Sequence, residues 1–391
     1  MPRLPSTRLR PRAVGLAVPL ALTALALAVA ACEVVPEQSA QQKQDTTTAP
    51  AAVPPAPAPA VGADSAAAAS VGGVPAVPTD SAAAAAAALD TGVVQLYPEQ
   101  PRRGGVLFAL AQGLMVASPR CTWDGAPLPC HSTAGGVLAL VPLTADEPGG
   151  THTLAFERPA GRLTRTVAVA ERDFGRELIF LDSARYALLQ RTRDRASDAR
   201  ALRAVLTAVT PERRWRGRWR EPVPLGSAAG YGVERFYYRA SDSARAVSIP
   251  AGARSRGVFA ADTSDAAPAA GDVPAWRHSG VDAGVSRGTA VPAPAAGYVA
   301  DVGEYVLTGR TVVVDHGQGV LTTYFHLDTA LVRRGDQVRV GRTLGRVGDT
   351  GLSTGPHLHY GVYVHGKDVD PAAWRDMPAF VYADTARTTA R

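Results

Sequence analysis

The chain is poor in cysteine, aromatic residues and lysine, and this composition bears on whether its positive charge serves to bind nucleic acid. Its 391 residues include three cysteines and 6% aromatic residues, and arginine supplies almost all of the positive charge. The formal net charge of +6 alone is compatible with nucleic acid, a membrane surface or an acidic polymer as partner. We interpret the arginines between Arg158 and Arg220 as a solvated helix face. Because the sequence has no basic patch interleaved with aromatic residues, we expect no nucleic-acid partner.

The N-terminus has the layout of a secretory signal. An apolar run from Ala13 to Ala31, marginal in length for a membrane-spanning helix, follows a segment containing Arg3, Arg8, Arg10 and Arg12. The sequence Val29-Ala30-Ala31-Cys32 resembles a bacterial lipoprotein signal, which implies cleavage of residues 1–31 and lipidation of Cys32. We therefore expect an exported protein, lipid-anchored in the cell envelope. An uncleaved anchor and simple secretion are the alternatives. An aspartate after the lipidated cysteine would resemble a signal for retention in the inner membrane. Because this position is Glu33, the outer membrane is the expected destination in a cell that has one.

The other two cysteines bracket a predicted turn. Cys121 and Cys130 lie on either side of Asp124-Gly125, a dipeptide typical of tight hairpin turns. Cysteines on facing strands of a hairpin can form a disulfide, which suits an oxidising compartment. A metal site built on this thiol pair would need more ligands than the neighbouring sequence offers. We therefore predict a disulfide between Cys121 and Cys130.

Composition divides the chain into segments, and the folded parts are predicted to be mostly β. Residues 32–92 are rich in Ala, Pro, Ser and Thr and cannot bury enough apolar surface to fold, so we expect a disordered tether. Short alternating apolar runs predict a β-sandwich-like accessory domain at 93–177. Loose helical spacing predicts a connector helix within 178–218. A second β domain is expected at 219–375 and a flexible tail at 376–391.

Four histidines and one aspartate in the second β domain are candidates for a metal site. His357 and His359 would lie on one face of a strand, because side chains alternate in β structure. His278 and Asp282 share a face in an extended segment, and His326 lies within a third short segment. Catalytic zinc has three protein ligands and leaves its fourth position to water. Five candidate groups exceed that number, so the others can serve as general base and electrophilic stabiliser.

These segments resemble those of the LytM and lysostaphin-type zinc endopeptidases of peptidoglycan. The resemblance covers about 219–374 and is carried by three motifs, His278-Ser-Gly-Val-Asp282, Tyr324-Phe-His326-Leu and Ser353-Thr-Gly-Pro-His357-Leu-His359-Tyr360. It implies a duplicated-hybrid-motif β fold and one Zn²⁺ held by His278, Asp282 and His359. It also implies that His326 and His357 flank the attacking water and the scissile carbonyl, with peptidoglycan stem peptides as substrate.

Other functions remain open at this stage. Some relatives have lost their zinc ligands and activate cell-wall amidases, which is the alternative function. A phosphocarrier of related fold is disfavoured by the predicted export and by the zinc motif. The segment from Phe236 to Arg277 is longer than the family usually has, and it is either a wall or lid of the groove or a tolerated insertion. We expect His131, His152, His316 and His365 to be packing or solvent-facing residues.

Overall fold

The computed structural model of the chain describes residues 92–226, 230–242, 256–257 and 275–382. The predicted signal segment, Cys32, almost all of the predicted tether and most of the Phe236 to Arg277 insertion lie outside these residues. Within the described ranges, no helix is both long enough and apolar enough to span a membrane.

The first domain is a sandwich of two four-stranded antiparallel sheets. One sheet has the order β1-β2-β6-β5, and its strands are β1 (Val94–Tyr97), β2 (Val106–Gln112), β5 (Cys130–Thr133) and β6 (Gly136–Pro142). The other has the order β4-β3-β7-β8, and its strands are β3 (Cys121–Trp123), β4 (Ala126–Leu128), β7 (Gly150–Arg158) and β8 (Gly161–Val169). Asp124 and Gly125 both have positive φ in the β3–β4 turn, as that dipeptide predicts. A disulfide joins Cys121 to Cys130.

Strands β2 and β6 are buried on both faces, which ties the sandwich to the rest of the protein. In β2, Leu107 and Ala109 pack into the core between the two sheets. The intervening Phe108 points the other way, into a core shared with the C-terminal domain, where its ring meets that of Trp374 edge-on at 5.6 Å. Continuous apolar runs are typical of strands covered on both sides. The two domains therefore share a hydrophobic core.

Residues 178–218 differ from the single connector helix that we predicted. Arg176–Leu181 forms strand β9, followed by helices α1 (Ser183–Leu189) and α2 (Thr192–Leu206). The Asp182 side chain caps α1 by accepting a hydrogen bond from the Arg185 amide, and the helix therefore begins at Ser183. Helix α2 packs Leu202 and Leu206, one turn apart, against the C-terminal sheet.

A small mixed sheet connects these segments to the C-terminal domain. Its order is β11-β12-β10-β9, with β10 (Glu234–Arg239), β11 (Arg256–Gly257) and β12 (Ala275–Arg277). Strand β10 runs parallel to β9 and antiparallel to β12. Both ends of the Phe236 to Arg277 insertion are thus strands of this sheet.

The C-terminal domain is built on a nine-stranded sheet. Its central path is β13-β20-β17-β16-β15-β18; in addition, β19 pairs with β17, β14 with β19, and β21 with β20. The strands are β13 (Val281–Ala283), β14 (Ala290–Pro292), β15 (Gly297–Tyr305), β16 (Gly309–Gly317), β17 (Val320–Ala330), β18 (Gln337–Val338), β19 (Thr343–Val347), β20 (Leu358–Val364) and β21 (Lys367–Val369). The prediction of a mostly β protein with an N-terminal sandwich and a C-terminal β domain is confirmed.

Two predicted limits of the C-terminal domain need correction. Trp215, placed in the connector, is fully buried, and the Arg214 amide donates to the carbonyl of His316. The predicted tail also begins too early. A 3₁₀ turn (Pro371–Trp374) is followed by helix α3 (Ala379–Tyr382), and Met377 and Val381 are buried in the shared core. Apolar side chains at both ends extend the domain beyond the residues that carry the motifs.

Candidate active site

Strand pairing brings the first and third histidine segments together. In the ladder between β13 and β20, Asp282 lies directly opposite His359. The chain reaches this pairing through Gly280, where a Cβ atom would lie 2.4 Å from the Tyr360 carbonyl oxygen and 2.8 Å from His359 Nε2. Only glycine allows so close an approach. Gly280 therefore lets the His278–Asp282 segment lie directly over β20.

Three donor atoms converge at this point. His278 Nε2 lies 3.0 Å from Asp282 Oδ1 and 3.0 Å from His359 Nδ1, and His359 Nδ1 lies 3.0 Å from Asp282 Oδ1. Both histidines are 5% exposed. The three residues can each offer one ligand atom, and these atoms lie within 4.8 Å of one another. The structure thus brings together the three residues that the motifs assign to the metal.

The hydrogen bonds of His278 make this cluster suitable for a cation. Its Nδ1 lies 2.9 Å from the carbonyl oxygen of Gly230, which can only accept, so Nδ1 carries the proton. In the neutral ring, Nε2 is then a lone pair facing the Asp282 carboxylate. With a proton on Nε2 the 3.0 Å contact is a hydrogen bond to Asp282 Oδ1, and without that proton the lone pair can bind a cation. Two imidazoles and a carboxylate form a donor set suited to a catalytic divalent metal.

The protonation states also favour metal binding. Burial alone would raise the pKa of the Asp282 carboxyl, but His278 and His359 lower that pKa well below its ordinary value. Burial lowers the pKa of His359 to about 4, although Asp282 opposes the shift. At neutral pH the carboxylate is ionised and the His359 ring is neutral, and these are the forms that bind metals.

His326 reaches the site through an irregularity in β17. Its φ is 60°, and the pairing of β16 with β17 shifts register between Arg310 and Val312. Regular alternation would turn His326 away from its neighbour Phe325, yet both side chains line the groove. Phe325 stacks on the His359 ring at 4.7 Å, with 8° between the ring planes. The left-handed conformation of a non-glycine residue costs about 1 kcal/mol or more and is frequent at functional sites.

His326 and His357 have similar hydrogen bonding. His326 Nδ1 lies 2.8 Å from the carbonyl oxygen of Thr350, and His357 Nδ1 lies 2.8 Å from that of Gly355. Each Nδ1 must therefore donate, which leaves each Nε2 as a proton acceptor. The two rings are 4.8 Å apart, and His357 Nε2 is 3.6 Å from Asp282 Oδ1. Burial, with the neighbouring His357 and His359, lowers the pKa of His326 to about 3.

The five residues line one groove of about 440 Å³. One wall consists of residues that the motifs do not include, namely Ile179, Leu181, Tyr237 and Trp276. They come from the small sheet β9-β10-β12, and the rings of Tyr237 and Trp276 pack 5.1 Å apart. Both strands at the ends of the insertion thus contribute side chains to the groove wall. A wall of the groove is one of the two roles considered for that segment.

Sequence reasoning missed two charged residues at the site. Arg235 Nη1 donates to Asp282 Oδ2 at 2.7 Å, and its Nε donates to Glu177 at 3.1 Å. Neither residue carries a local signal, because both depend on the pairing of strands that are far apart in the sequence.

Two of the remaining histidines, His316 and His152, have other partners. His316 is fully buried at the end of β16, between the carbonyl of Ala296 and the hydroxyl of Thr322. His152 bonds Asp124 and stacks on Trp123 in the first domain. Both fit the packing role that we predicted.

Comparisons with known proteins identify the domain. The sequence profile of peptidase family M23 matches residues 276–371. An uncharacterized metalloprotease of Haemophilus influenzae is 45% identical over 95 residues, which cover 24% of this chain and 20% of the relative. The peptidoglycan DD-endopeptidase ShyA of Vibrio cholerae is 39% identical over 93 residues, covering 24% of this chain and 22% of the relative. The solved catalytic domain of lysostaphin from Staphylococcus simulans is 31% identical, covering 25% of this chain and 77% of that domain, with a TM-score of 0.24.

The matched region and the cluster of His278, Asp282 and His359 within it define a metallopeptidase domain. Residues 276–371 therefore form a domain of peptidase family M23. It spans only about a fifth of the length of these two curated relatives.

Proposed function

We propose that the protein is a zinc metalloendopeptidase that hydrolyses peptide cross-links in bacterial peptidoglycan. The observation that carries this proposal is the convergence of His278, Asp282 and His359 on one point, with His326 and His357 beside it. All five side chains lie in one groove, inside the region that matches the peptidase family. No specific observation favours the alternative function, an activator that has lost its ligands, because every one of these residues is present.

In this proposal His278, Asp282 and His359 hold a single Zn²⁺, which supplies Lewis-acid activation of water and of the peptide carbonyl. His326 and His357 handle the protons. Each presents an unprotonated Nε2 to the groove while a backbone carbonyl fixes its ring. One accepts the proton of the attacking water, and that proton is then available to the departing amine. The other histidine, after taking up a proton from solvent at Nε2, donates a hydrogen bond to the carbonyl oxygen.

The substrate class comes from the relatives and from the shape of the site. The Vibrio cholerae relative, 39% identical over 93 residues, is named a peptidoglycan DD-endopeptidase. An apolar wall next to the polar catalytic floor suits a peptide with small apolar side chains and an exposed backbone. We therefore propose peptidoglycan stem peptides as substrate.

We also propose that the protein is exported and anchored to a membrane by a lipid on Cys32, with residues 32–92 as a tether. The charged and apolar segments before Cys32 support this proposal. In cells, Cys32→Ala should abolish incorporation of a labelled fatty acid and move the protein from the membrane to the soluble fraction. Unchanged labelling would remove the anchor from the account.

Digestion of defined muropeptides tests the activity. The chain without residues 1–32, loaded with zinc, should convert cross-linked dimers to monomers, with a mass gain of one water per bond. Asp282→Ala should lower the rate at least ~100-fold, since loss of a ligand removes the activated water. Asp376→Ala is the matched control, because Asp376 is exposed near Arg218, away from the groove, and it should keep the full rate. Conversion of dimers to monomers by Asp282→Ala at the rate of the unsubstituted protein would refute the proposal.

A further inference from the structure

Arg235 makes two contacts that connect the metal-binding cluster to a separate sheet. Its side chain is 13% exposed and bonds Oδ2 of Asp282 and a carboxylate oxygen of Glu177. Arg235 and Glu177 are register partners in the parallel pairing of β10 with β9. The cluster, Arg235 and Glu177 therefore form one chain of contacts. Arg235 and Glu177 both lie outside residues 276–371, where the family profile matches.

We propose that Arg235 is a positioning residue for the metal site, holding the Asp282 carboxylate so that one oxygen alone faces the two histidines. This inference rests on the proposed metal centre. Asp282 Oδ2 is engaged by the guanidinium at 2.7 Å, while Oδ1 is 3.0 Å from both His278 Nε2 and His359 Nδ1. A carboxylate with one oxygen fixed cannot rotate to offer both. Bonds of this kind to ligating groups orient them and strengthen metal binding.

Glu177 has a second part in this arrangement. A guanidinium beside the cluster brings a positive charge close to a site that must accept a cation, and this repulsion weakens binding. Glu177 Oε2 lies 3.1 Å from Arg235 Nε and offsets that charge. The negative charge of Glu177 thus compensates the positive charge of Arg235, so the negative charge of Asp282 can still attract the metal while Arg235 fixes the orientation of the carboxylate. Loss of Glu177 should weaken metal binding less than loss of Arg235 does. The effect of losing Glu177 should be larger at low ionic strength than at high ionic strength.

The same two strands provide a matched control. Arg176 also bonds a carboxylate across the β9–β10 pair, with its Nε 2.9 Å from Glu234. Its side chain is 50% exposed, and neither Arg176 nor Glu234 lines the groove. Arg176→Met therefore removes an arginine–carboxylate pair, more exposed than that of Arg235, from the same sheet without touching Asp282.

The experiment compares zinc affinity, the visible spectrum of the cobalt-substituted protein and the unfolding of the metal-free protein. It uses the chain without residues 1–32 and the variants Arg235→Met, Arg235→Lys, Glu177→Gln and Arg176→Met. Competition with a zinc chelator should show a roughly 10–100-fold loss of affinity in Arg235→Met. The cobalt absorption should change in intensity, because an unrestrained carboxylate alters the coordination. Arg235→Lys should recover part of the affinity, and Arg176→Met should match the parent in affinity and spectrum.

The outcomes separate this inference from the proposed function. If the parent binds zinc and Arg235→Met binds it equally well with an unchanged cobalt spectrum, Arg235 is not a positioning residue and the inference fails alone. Lower stability of metal-free Arg235→Met without loss of zinc affinity would also overturn it, since that is the result of a purely structural ion pair. A parent that binds no zinc would overturn both the inference and the proposed function.

Discussion

The Tyr231 hydroxyl lies where the first domain meets the catalytic domain, and its removal should destabilise the protein. Tyr231 is 1% exposed. Its hydroxyl accepts a hydrogen bond from the Ala145 amide at 3.2 Å and donates one to the Asp368 carbonyl at 3.0 Å. Tyr231→Phe keeps the ring and its edge-on contact with Phe174 at 5.9 Å, but it leaves a donor and an acceptor without this partner. Each such loss costs roughly 1–3 kcal/mol, so for the two together we expect the free energy of unfolding to fall by about 2–6 kcal/mol.

Urea unfolding of the two proteins, with equal slopes required, measures this difference. Tyr298→Phe is the control, because the Tyr298 hydroxyl accepts its bond from Gln337 at an exposed position. Its effect should stay within about 0.5 kcal/mol. A loss in Tyr231→Phe no larger than that in Tyr298→Phe would refute the claim that this hydroxyl joins the two domains.

Two further predictions concern the histidines. His326→Ala should keep its zinc but lose about 10²–10⁴-fold in the rate of muropeptide cleavage, because proton transfer is impaired while the ligands remain; loss of zinc from this variant would contradict the assigned role. Burial lowers the pKa of His316 from 6.5 to about 4, so the unfolded chain takes up a proton there before the native protein does. The free energy of unfolding of the metal-free protein should therefore fall as pH drops from about 6.5 to 4, with a shallower slope in His316→Gln; equal slopes would contradict it.

Much of the catalytic cluster could be predicted from the sequence because its geometry is local. His357 and His359 share a face through strand alternation alone, and Gly280 between His278 and Asp282 indicated an extended or turning segment rather than a helix. His326 was recognised by the motif around it. Alternation alone would not have placed its side chain beside that of Phe325, because the left-handed backbone at His326 depends on the bulge in β17.

The supporting contacts could not be predicted for a different reason. Arg235 and Glu177 meet through a parallel pairing between strands more than fifty positions apart, and no local pattern specifies such a register. The domain limits failed in a similar way. Trp215 and Val381 lie outside any regular alternation, so their burial depends on the tertiary core alone.

Metal content tests the central claim most directly. The chain without residues 1–32, equilibrated with zinc and freed of excess by gel filtration, should retain one zinc ion per chain by elemental analysis. The variants His278→Ala, Asp282→Ala and His359→Ala should each retain less than about a tenth of that amount, while His326→Ala keeps one ion. Full zinc content in all three ligand variants would contradict the account.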